Sequence, residues 1–328
     1  MNLQQLRFLN EIVRQGLNIS EAANALYTSQ PGISKQIRLL EEELGIEIFV
    51  RNGKRIVAIT EPGQAVLSIA QRMLHDAGNL KQVAEEFHSK NNGSLTIATT
   101  HTQARYALPP TVKQFIKRYP GVKLGLHQGS PTQIAEQVLG GEADIGIATE
   151  SLALYDELVT LPCYEWNHCV IAPLNHPLLE EKKLTLAKVA KSPIVTYDFA
   201  FAGRNKINAA FEAAGIQPNI ALTAIDADVI KTYVELGLGI GILAKMAFIP
   251  ERDKQLRMID AEHLFKPSIT RIAIRKNEYL RGYTYDFIEL FAPHLTRAAV
   301  AKAMQAPPPT ECPLICPFGL IPETESPP

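Results

Sequence analysis

Apolar positions at the start of the chain recur at helical spacing: Leu3, Leu6, Leu9 and Val13, with Phe8 and Ile12 widening the stripe. Gly16 ends this predicted helix. Asn18, with Glu21 after it, reads as a capping box for a short second helix through Leu26, where Ala22 and Ala23 permit close packing. Thr28 is placed to cap a third helix. Pro31 falls in that helix's first turn, where a missing N–H costs nothing. Ile33, Ile37, Leu40 and Leu44 form its expected buried stripe, and Gln30, Ser34, Lys35 and Arg38 lie opposite. Strand-like runs at 49–51 and 55–57 flank Asn52-Gly53, a two-residue hairpin signal. Thr60-Glu61-Pro62-Gly63 then opens a long helix. Along it Val66, Ala70, Met73, Ala77, Leu80, Ala84 and Phe87 repeat in coiled-coil fashion. A helix from residue 61 to about residue 89 is ~42 Å long, more than a small domain buries alone. Asn91-Asn92-Gly93, closing the stretch 89–93, reads as a hinge.

After the hinge the period changes. Strands are expected at 95–99, 122–127, 145–148, 170–172, 194–197, 220–224 and 240–244, and helices at 103–119, 131–139, 206–214 and 227–236. This alternation predicts an α/β domain. Its strands end in polar corners, at Thr99-Thr100-His101-Thr102-Gln103, at Gln128-Gly129-Ser130-Pro131 and at Thr149. Any single corner is most simply a helix cap. Several hydroxyl-bearing corners at one sheet edge favour a shared small-molecule cleft, where helix N-termini attract anions. Gly237-Leu238-Gly239-Ile240-Gly241 follows a helix and opens a strand, the reverse of a dinucleotide loop, so it reads as a close-packed turn.

A short helix, a tight turn, and a second helix carrying Gln, Ser, Lys and Arg suit major-groove reading. Glutamine bonds adenine bidentately, lysine reaches guanine, and serine serves base or phosphate. The expected DNA contacts are Ser29, Gln30, Pro31, Ser34, Lys35 and Arg38, with Arg51, Lys54 and Arg55 on a wing beside the phosphates. Charge alone does not announce this. The chain has a formal net charge of -1, and residues 1–60 hold seven Lys/Arg against six Asp/Glu. Four of those acids (Glu41, Glu42, Glu43 and Glu47) sit at or beyond the far end of the third helix, leaving the basic face local.

The 328 residues, 46% hydrophobic and 20% charged, suit two or three packed domains. Met1 leads into Asn2-Leu3-Gln4-Gln5 without the basic start and apolar core of a signal peptide, and no apolar run is long enough for a membrane. A cytoplasmic location is expected. Cys163 and Cys169 read as buried free thiols, while Cys312 and Cys316 belong to a proline-rich tail over 305–328 expected to be irregular. No catalytic set, cofactor loop or complete metal-ligand set can be argued from spacing.

With these residues in view, the chain resembles the LysR-type transcriptional regulators to about residue 304. Thr28-Ser29-Gln30-Pro31, Phe49, Arg51, Arg55, Thr60 and Gly63 carry the family pattern. The stretches 98–106, 127–135, 226–233 and 283–296 are similar to the CysB-like branch, which governs cysteine biosynthesis and sulphur assimilation. The resemblance implies a winged helix-turn-helix over 1–60, a dimerisation helix over 61–90, and a two-lobed α/β effector domain of periplasmic-binding-protein type over 91–304. Lobe I would take about 91–163 and 267–304, and lobe II about 164–266. It implies a homodimer assembling to a homotetramer on double-stranded promoter DNA, in contact with RNA polymerase at activated promoters. The implied inducer is N-acetylserine or O-acetylserine, with sulfate or thiosulfate as anions of the same cleft, and no cofactor. Effector contacts map onto Thr100, Thr102, Gln103 and Thr149, with Trp166 lining the cleft from lobe II. The branch leads one to expect a hydroxyl where this chain has Ala202. Losing that hydrogen bond would weaken an anion by ~1.5–3 kcal/mol. The competing class, a two-lobed solute-binding protein without regulatory role, would need an export signal and no DNA-reading module.

Overall fold

The computed structural model describes residues 1–53, 55–88, 91–199, 201 and 203–305, without the side chains of Glu85 and His88. Lys54, Ala202, the first two hinge residues, and the tail with Cys312 and Cys316 lie outside the described residues.

The first unit is α1 (Leu3–Arg14), α2 (Ile19–Ala25), α3 (Gln30–Leu44) and a hairpin of β1 (Phe49–Asn52) and β2 (Arg55–Ile59). Leu6, Leu9, Ile12, Ile33, Ile37, Leu40, Ile48 and Phe49 close its core. Three local details depart from the sequence reading. Ser29, not Thr28, caps α3, its Oγ accepting from the Gly32 N–H at 3.2 Å. Leu44 is exposed, because α3 ends there at a left-handed Gly45, and the buried far-end position is Glu41 instead. In the hairpin Asn52 pairs with Arg55, so the turn starts at Gly53 (φ +62°) rather than at Asn52, and a bulge lies beside Val50 and Arg51.

The long helix is α4 (Glu61–His88). Thr60 Oγ1 accepts from the Gly63 N–H at 2.9 Å, and a Cβ at Gly63 would meet the Ile48 carbonyl oxygen at 2.2 Å, so only glycine lets the helix cross here. Leu67, Ala70 and Leu74 pack on the first unit, so the start of the expected seam, Val66 and Ala70, is used within the chain. Further along, Met73, Leu80 and Phe87 are 38%, 73% and 83% exposed.

The remainder folds as two five-stranded sheets. The first holds β3 (Asn92–Thr99), β4 (Gly121–Gln128), β5 (Ile145–Ala148), β6 (Leu158–Trp166) and β12 (Ser268–Arg275) in the order β4-β3-β5-β12-β6. β3 runs parallel to β4 and β5, and β12 runs antiparallel to β5 and β6. A one-turn π-helix (Gln103–Ala107), α5 (Leu108–Arg118), α6 (Pro131–Leu139), α10 (Gly282–Phe291) and α11 (Arg297–Gln305) flank it. The second sheet holds β7 (His168–Pro173), β8 (Ile194–Tyr197), β9 (Ile220–Ala224), β10 (Ile240–Ala244) and β11 (Leu256–Asp260) in the order β11-β7-β10-β8-β9. α7 (Leu186–Val189), α8 (Arg204–Ala213) and α9 (Ala227–Glu235) pack against it.

The chain crosses between sheets at Asn167 and again between β11 and β12. The first crossing falls later than the expected Cys163, because β6 stays paired with β12 as far as Trp166 opposite Ser268. Pro162 is tolerated in β6 because this is an edge strand. The single helix expected over 103–119 is split. Pro109 and Pro110 have no N–H for the carbonyls of Arg105 and Tyr106, and the turn before them opens into the π-helix. The glycine turn is close-packed as read: a Cβ at Gly239 would lie 2.0 Å from the Pro193 carbonyl oxygen.

α4 is bonded to both units. Gln71 reaches Asn10 at 3.1 Å. Asn79 donates to the Asn277 carbonyl at 3.0 Å and accepts from the Tyr279 N–H, while Glu86 accepts from the Tyr279 hydroxyl at 2.8 Å and the Gly282 N–H at 3.1 Å.

Candidate functional site

The sequence points to two candidate sites, and most of the residues it names for each lie close together in the fold. On the first unit, Ser29, Gln30, Pro31, Lys35 and Arg38 are exposed at the N-terminal half of α3, and Ser34 is half-buried. Gln30 Nε2 lies 3.5 Å from Ser34 Oγ. Between α3 and the hairpin runs a groove of about 510 Å³ lined by Gln30, Ser34, Lys35, Arg38, Arg51 and Gly53 among others. Arg55 is exposed on β2. Arg51 is differently employed. Its Nη1 and Nη2 donate to Glu41 at 3.1 and 2.6 Å, and the same Glu41 Oε1 accepts from the N–H of Ile48 at 2.9 Å and of Phe49 at 3.3 Å. A buried carboxylate thus ties α3 to the start of the wing, and Arg51 completes its coordination. Ser29 likewise spends its hydroxyl on the helix cap.

The second site lies between the sheets. Thr100, His101, Thr102 and Gln103 follow β3, Thr149 follows β5, and Trp166 ends β6; with Tyr197, Phe201 and Ile225 from the other lobe they enclose about 20 Å³, room for a single water. The sequence-predicted effector residues Thr100, Thr102, Gln103, Thr149 and Trp166 therefore converge. Two of them differ from expectation. Trp166 belongs to the first lobe's sheet, not the second. The Gln103 side chain is engaged within the first lobe, donating to Thr270 Oγ1 at 3.0 Å and accepting from the Tyr164 hydroxyl, and its backbone N–H lies 3.5 Å from Thr100 Oγ1. The Gln128–Pro131 corner is spent on a capping box between Ser130 and Gln133. Thr149 begins a short 3-10 turn (Glu150–Leu154) and makes no side-chain cap bond there.

What holds the lobes together was not visible in the sequence. Tyr106, on the π-helix, donates to Asp228 Oδ1 at 2.7 Å and accepts from Lys231 Nζ at 2.9 Å, both on α9 of the second lobe. Arg105 pairs with the same aspartate. Lys231 is anchored by Asp253 at 3.1 Å and the Ala247 carbonyl at 3.0 Å. Burial would raise the Asp228 pKa, but the Tyr106 hydrogen bond and the charges of Lys231 and Arg105 outweigh it and hold the carboxyl below its ordinary value. On another side Lys206 of α8 meets Glu150 at 3.1 Å. The π-helix that carries Arg105 and Tyr106 begins at Gln103, directly after Thr100–Thr102.

A winged helix-turn-helix joined by one long helix to a two-lobed α/β unit, with a polar cleft closed between its lobes, defines an effector-controlled transcriptional regulator. Residues 3–64 match the family described as "Bacterial regulatory helix-turn-helix protein, lysR family", and residues 88–296 match "LysR substrate binding domain". The chain belongs to the LysR family of transcriptional regulators, and like the family it is a regulator, not an enzyme. Over 305 residues it is 56% identical to "HTH-type transcriptional regulator SsuR" of Burkholderia cenocepacia, covering 93% of this chain and 99% of that one. It is 54% identical over 305 residues to "HTH-type transcriptional regulator CysB" of the same organism, covering 93% and 97%. Among solved structures, the cofactor-binding domain of the Cbl transcriptional regulator matches with a TM-score of 0.64 at 41% identity, covering 67% of this chain and 97% of that one. Among the described residues no helix is long and apolar enough to cross a membrane.

Proposed function

We propose that the protein controls cysteine-biosynthesis and sulphur-assimilation promoters in the cytoplasm, switched by N-acetylserine or O-acetylserine, with sulfate or thiosulfate competing for the same cleft. The observation that carries this reading is the convergence of Thr100, Thr102 and Thr149 hydroxyls with Trp166 between two lobes. A cleft rich in neutral donors beside a helix start suits a small anion without a permanent countercharge. As it stands the cleft holds only about a water, so an effector enters by separating the lobes against the Tyr106–Asp228–Lys231 and Glu150–Lys206 contacts. The effector then selects a different lobe spacing, a population shift that needs unequal affinity for the two states. α4 carries the change to the DNA, being hydrogen-bonded to both units.

On the DNA side, Gln30, Ser34, Lys35 and Arg38 read the major groove, Pro31 packs at its rim, and Arg55 and Lys54 neutralise phosphates. Met73, Leu80 and Phe87 recur every seventh residue on the exposed side of α4, which supports pairing with a second copy so that two half-sites are read; two such dimers make the tetramer, with RNA polymerase recruited at activated promoters. The test is Thr102→Ala. Footprinting should show sequence-specific protection unchanged without effector, and the change on adding acetylserine lost. Collapse of DNA binding itself would mean that Thr102 is not an effector residue.

A further inference from the structure

Three side chains of metal-ligating type meet where the lobes face each other. His101 follows β3 in the first lobe, and Asp226 and Asp228 open α9 in the second. A ring nitrogen of His101 and one carboxylate oxygen of each aspartate all lie within 4.8 Å of one another, and all three residues are half-buried. His101 Nδ1 is shut off from solvent and has no hydrogen-bond partner among the described residues, a condition that costs free energy unless something fills it. Asp226 spends Oδ1 on the Val229 N–H at 2.9 Å, which leaves Oδ2 for another partner. A tetrahedral ion with bonds of about 2.1 Å holds its donors roughly 3.4 Å apart. Donors within 4.8 Å reach that spacing by side-chain rotation, without a change of backbone.

Two cations share the spot. Lys231 lies 3.1 Å from Asp228 Oδ1, but Asp253 at 3.1 Å and the Ala247 carbonyl at 3.0 Å hold it independently. Arg105 pairs with Asp228 Oδ2 and is 48% exposed, so it can swing into water, and an exposed pair of this kind is worth little. Burial works against ionisation of Asp228, but the Tyr106 hydrogen bond and the charges of Lys231 and Arg105 outweigh it. The carboxylate is therefore a ligand that has no proton to lose at neutral pH.

We infer that His101, Asp226 and Asp228 form a binding site for a divalent transition ion of the zinc type, which bridges the two lobes. One imidazole and two carboxylates suit Zn²⁺ with water in the fourth position, whereas Mg²⁺ and Ca²⁺ take oxygen donors. Because the donors come from both lobes, the ion favours the lobe arrangement in which they meet. It acts on lobe spacing from beside the hydroxyl corner, so the site stands whatever that corner binds.

Calorimetric titration of the chelator-treated full chain with zinc chloride tests it. The unaltered chain should bind Zn²⁺, and His101→Ala and Asp226→Asn should each weaken it by roughly tenfold or more. Asparagine still caps α9, so the second variant loses ligand charge while keeping the helix start. Without metal, the thermal midpoints of both variants should match that of the parent. Hydrogen exchange should show Zn²⁺ slowing amides at 100–103 and at 226–229 together, the mark of an ion held by both lobes. Zn²⁺ affinity unchanged in both variants, protection confined to one lobe, ready displacement by Mg²⁺, or no binding by the unaltered chain overturns the inference.

Discussion

Replacing Glu41 with alanine is expected to detach the wing from the recognition helix. The buried carboxylate accepts two backbone N–H groups, Ile48 at 2.9 Å and Phe49 at 3.3 Å, and both residues are fully buried. Each amide left without a partner costs ~1–3 kcal/mol, the longer Phe49 bond at the low end. The Arg51 pair adds about 1 kcal/mol, because the guanidinium is 27% exposed and partly screened. The whole is then ~3–5 kcal/mol. Glu41→Gln retains one acceptor for the amides and should cost ~1–2 kcal/mol. Hydrogen exchange reads the effect where it occurs. Protection at Ile48 and Phe49 should fall by roughly a hundredfold or more in the alanine variant, with core strands of the effector domain unchanged.

The same geometry separates two roles for the wing arginines. If Arg55 faces phosphate and Arg51 serves Glu41, Arg55→Leu should flatten the dependence of log affinity on log salt by ~0.9, whereas Arg51→Leu should lower affinity at every salt concentration with an unchanged slope. A cost below about 1 kcal/mol for Glu41→Ala would refute the anchoring argument. An Arg51→Leu slope that flattened as much as that of Arg55→Leu would return Arg51 to the phosphates.

Three shorter predictions follow from burial. The pKa of His168 is pushed down to about 4 by burial, with the Lys206 charge acting in the same direction. An unfolded histidine titrates near ~6.5, so between these values the unfolded chain holds the extra proton; stability is complete above the window and falls by about 3 kcal/mol as pH drops through it. Urea midpoints of His168→Phe should lack this loss, and identical pH profiles for variant and parent would contradict the assignment. Burial drives the thiols of Cys163 and Cys169 up to about 12, so peptide mapping after brief maleimide treatment should find neither labelled until the chain unfolds. Leu80→Glu should convert the dimer to monomer in sedimentation without lowering the thermal midpoint of the effector domain, because Leu80 is 73% exposed; a dimer that survives would remove α4 from the interface.

Much of this was legible in local pattern. The helix-turn-helix, the long helix and most parallel strands follow from spacing and caps, because each is specified by residues close in sequence. Asp226, for example, caps α9 by accepting from the Val229 N–H at 2.9 Å, a partner only three residues away. Elements defined by distant partners were not legible. β6 contains Pro162 and β12 contains alternating residues, yet neither was identified, because β6 is a strand only through pairing with β12, about a hundred residues away, and β12 through pairing with β6 and β5. Glu41 reads as one acid in a solvated run; only the hairpin folding back onto α3 turns it into an anchor. Leu44 has the period of the core but lies past its end.

The cleft shows the same division at the level of function. Its hydroxyl corners announce themselves only together, since a single threonine or serine between a strand and a helix is most simply a cap, as Ser130 is. The residues that would make the site respond do not. Tyr106 gains meaning from Asp228 and Lys231. Glu150 gains it from Lys206. Each is an ordinary residue on its own element, and each acts by facing the other lobe. If effector binding works by changing the distance between lobes, those pairs are where its free energy must be spent. Substitutions there should alter the concentration at which the regulator responds while leaving its DNA sequence preference untouched. Substitutions on α3 should do the reverse, because the two sites are separated by α4 and the Arg14–Glu142 ion pair, which join the units at a distance from both.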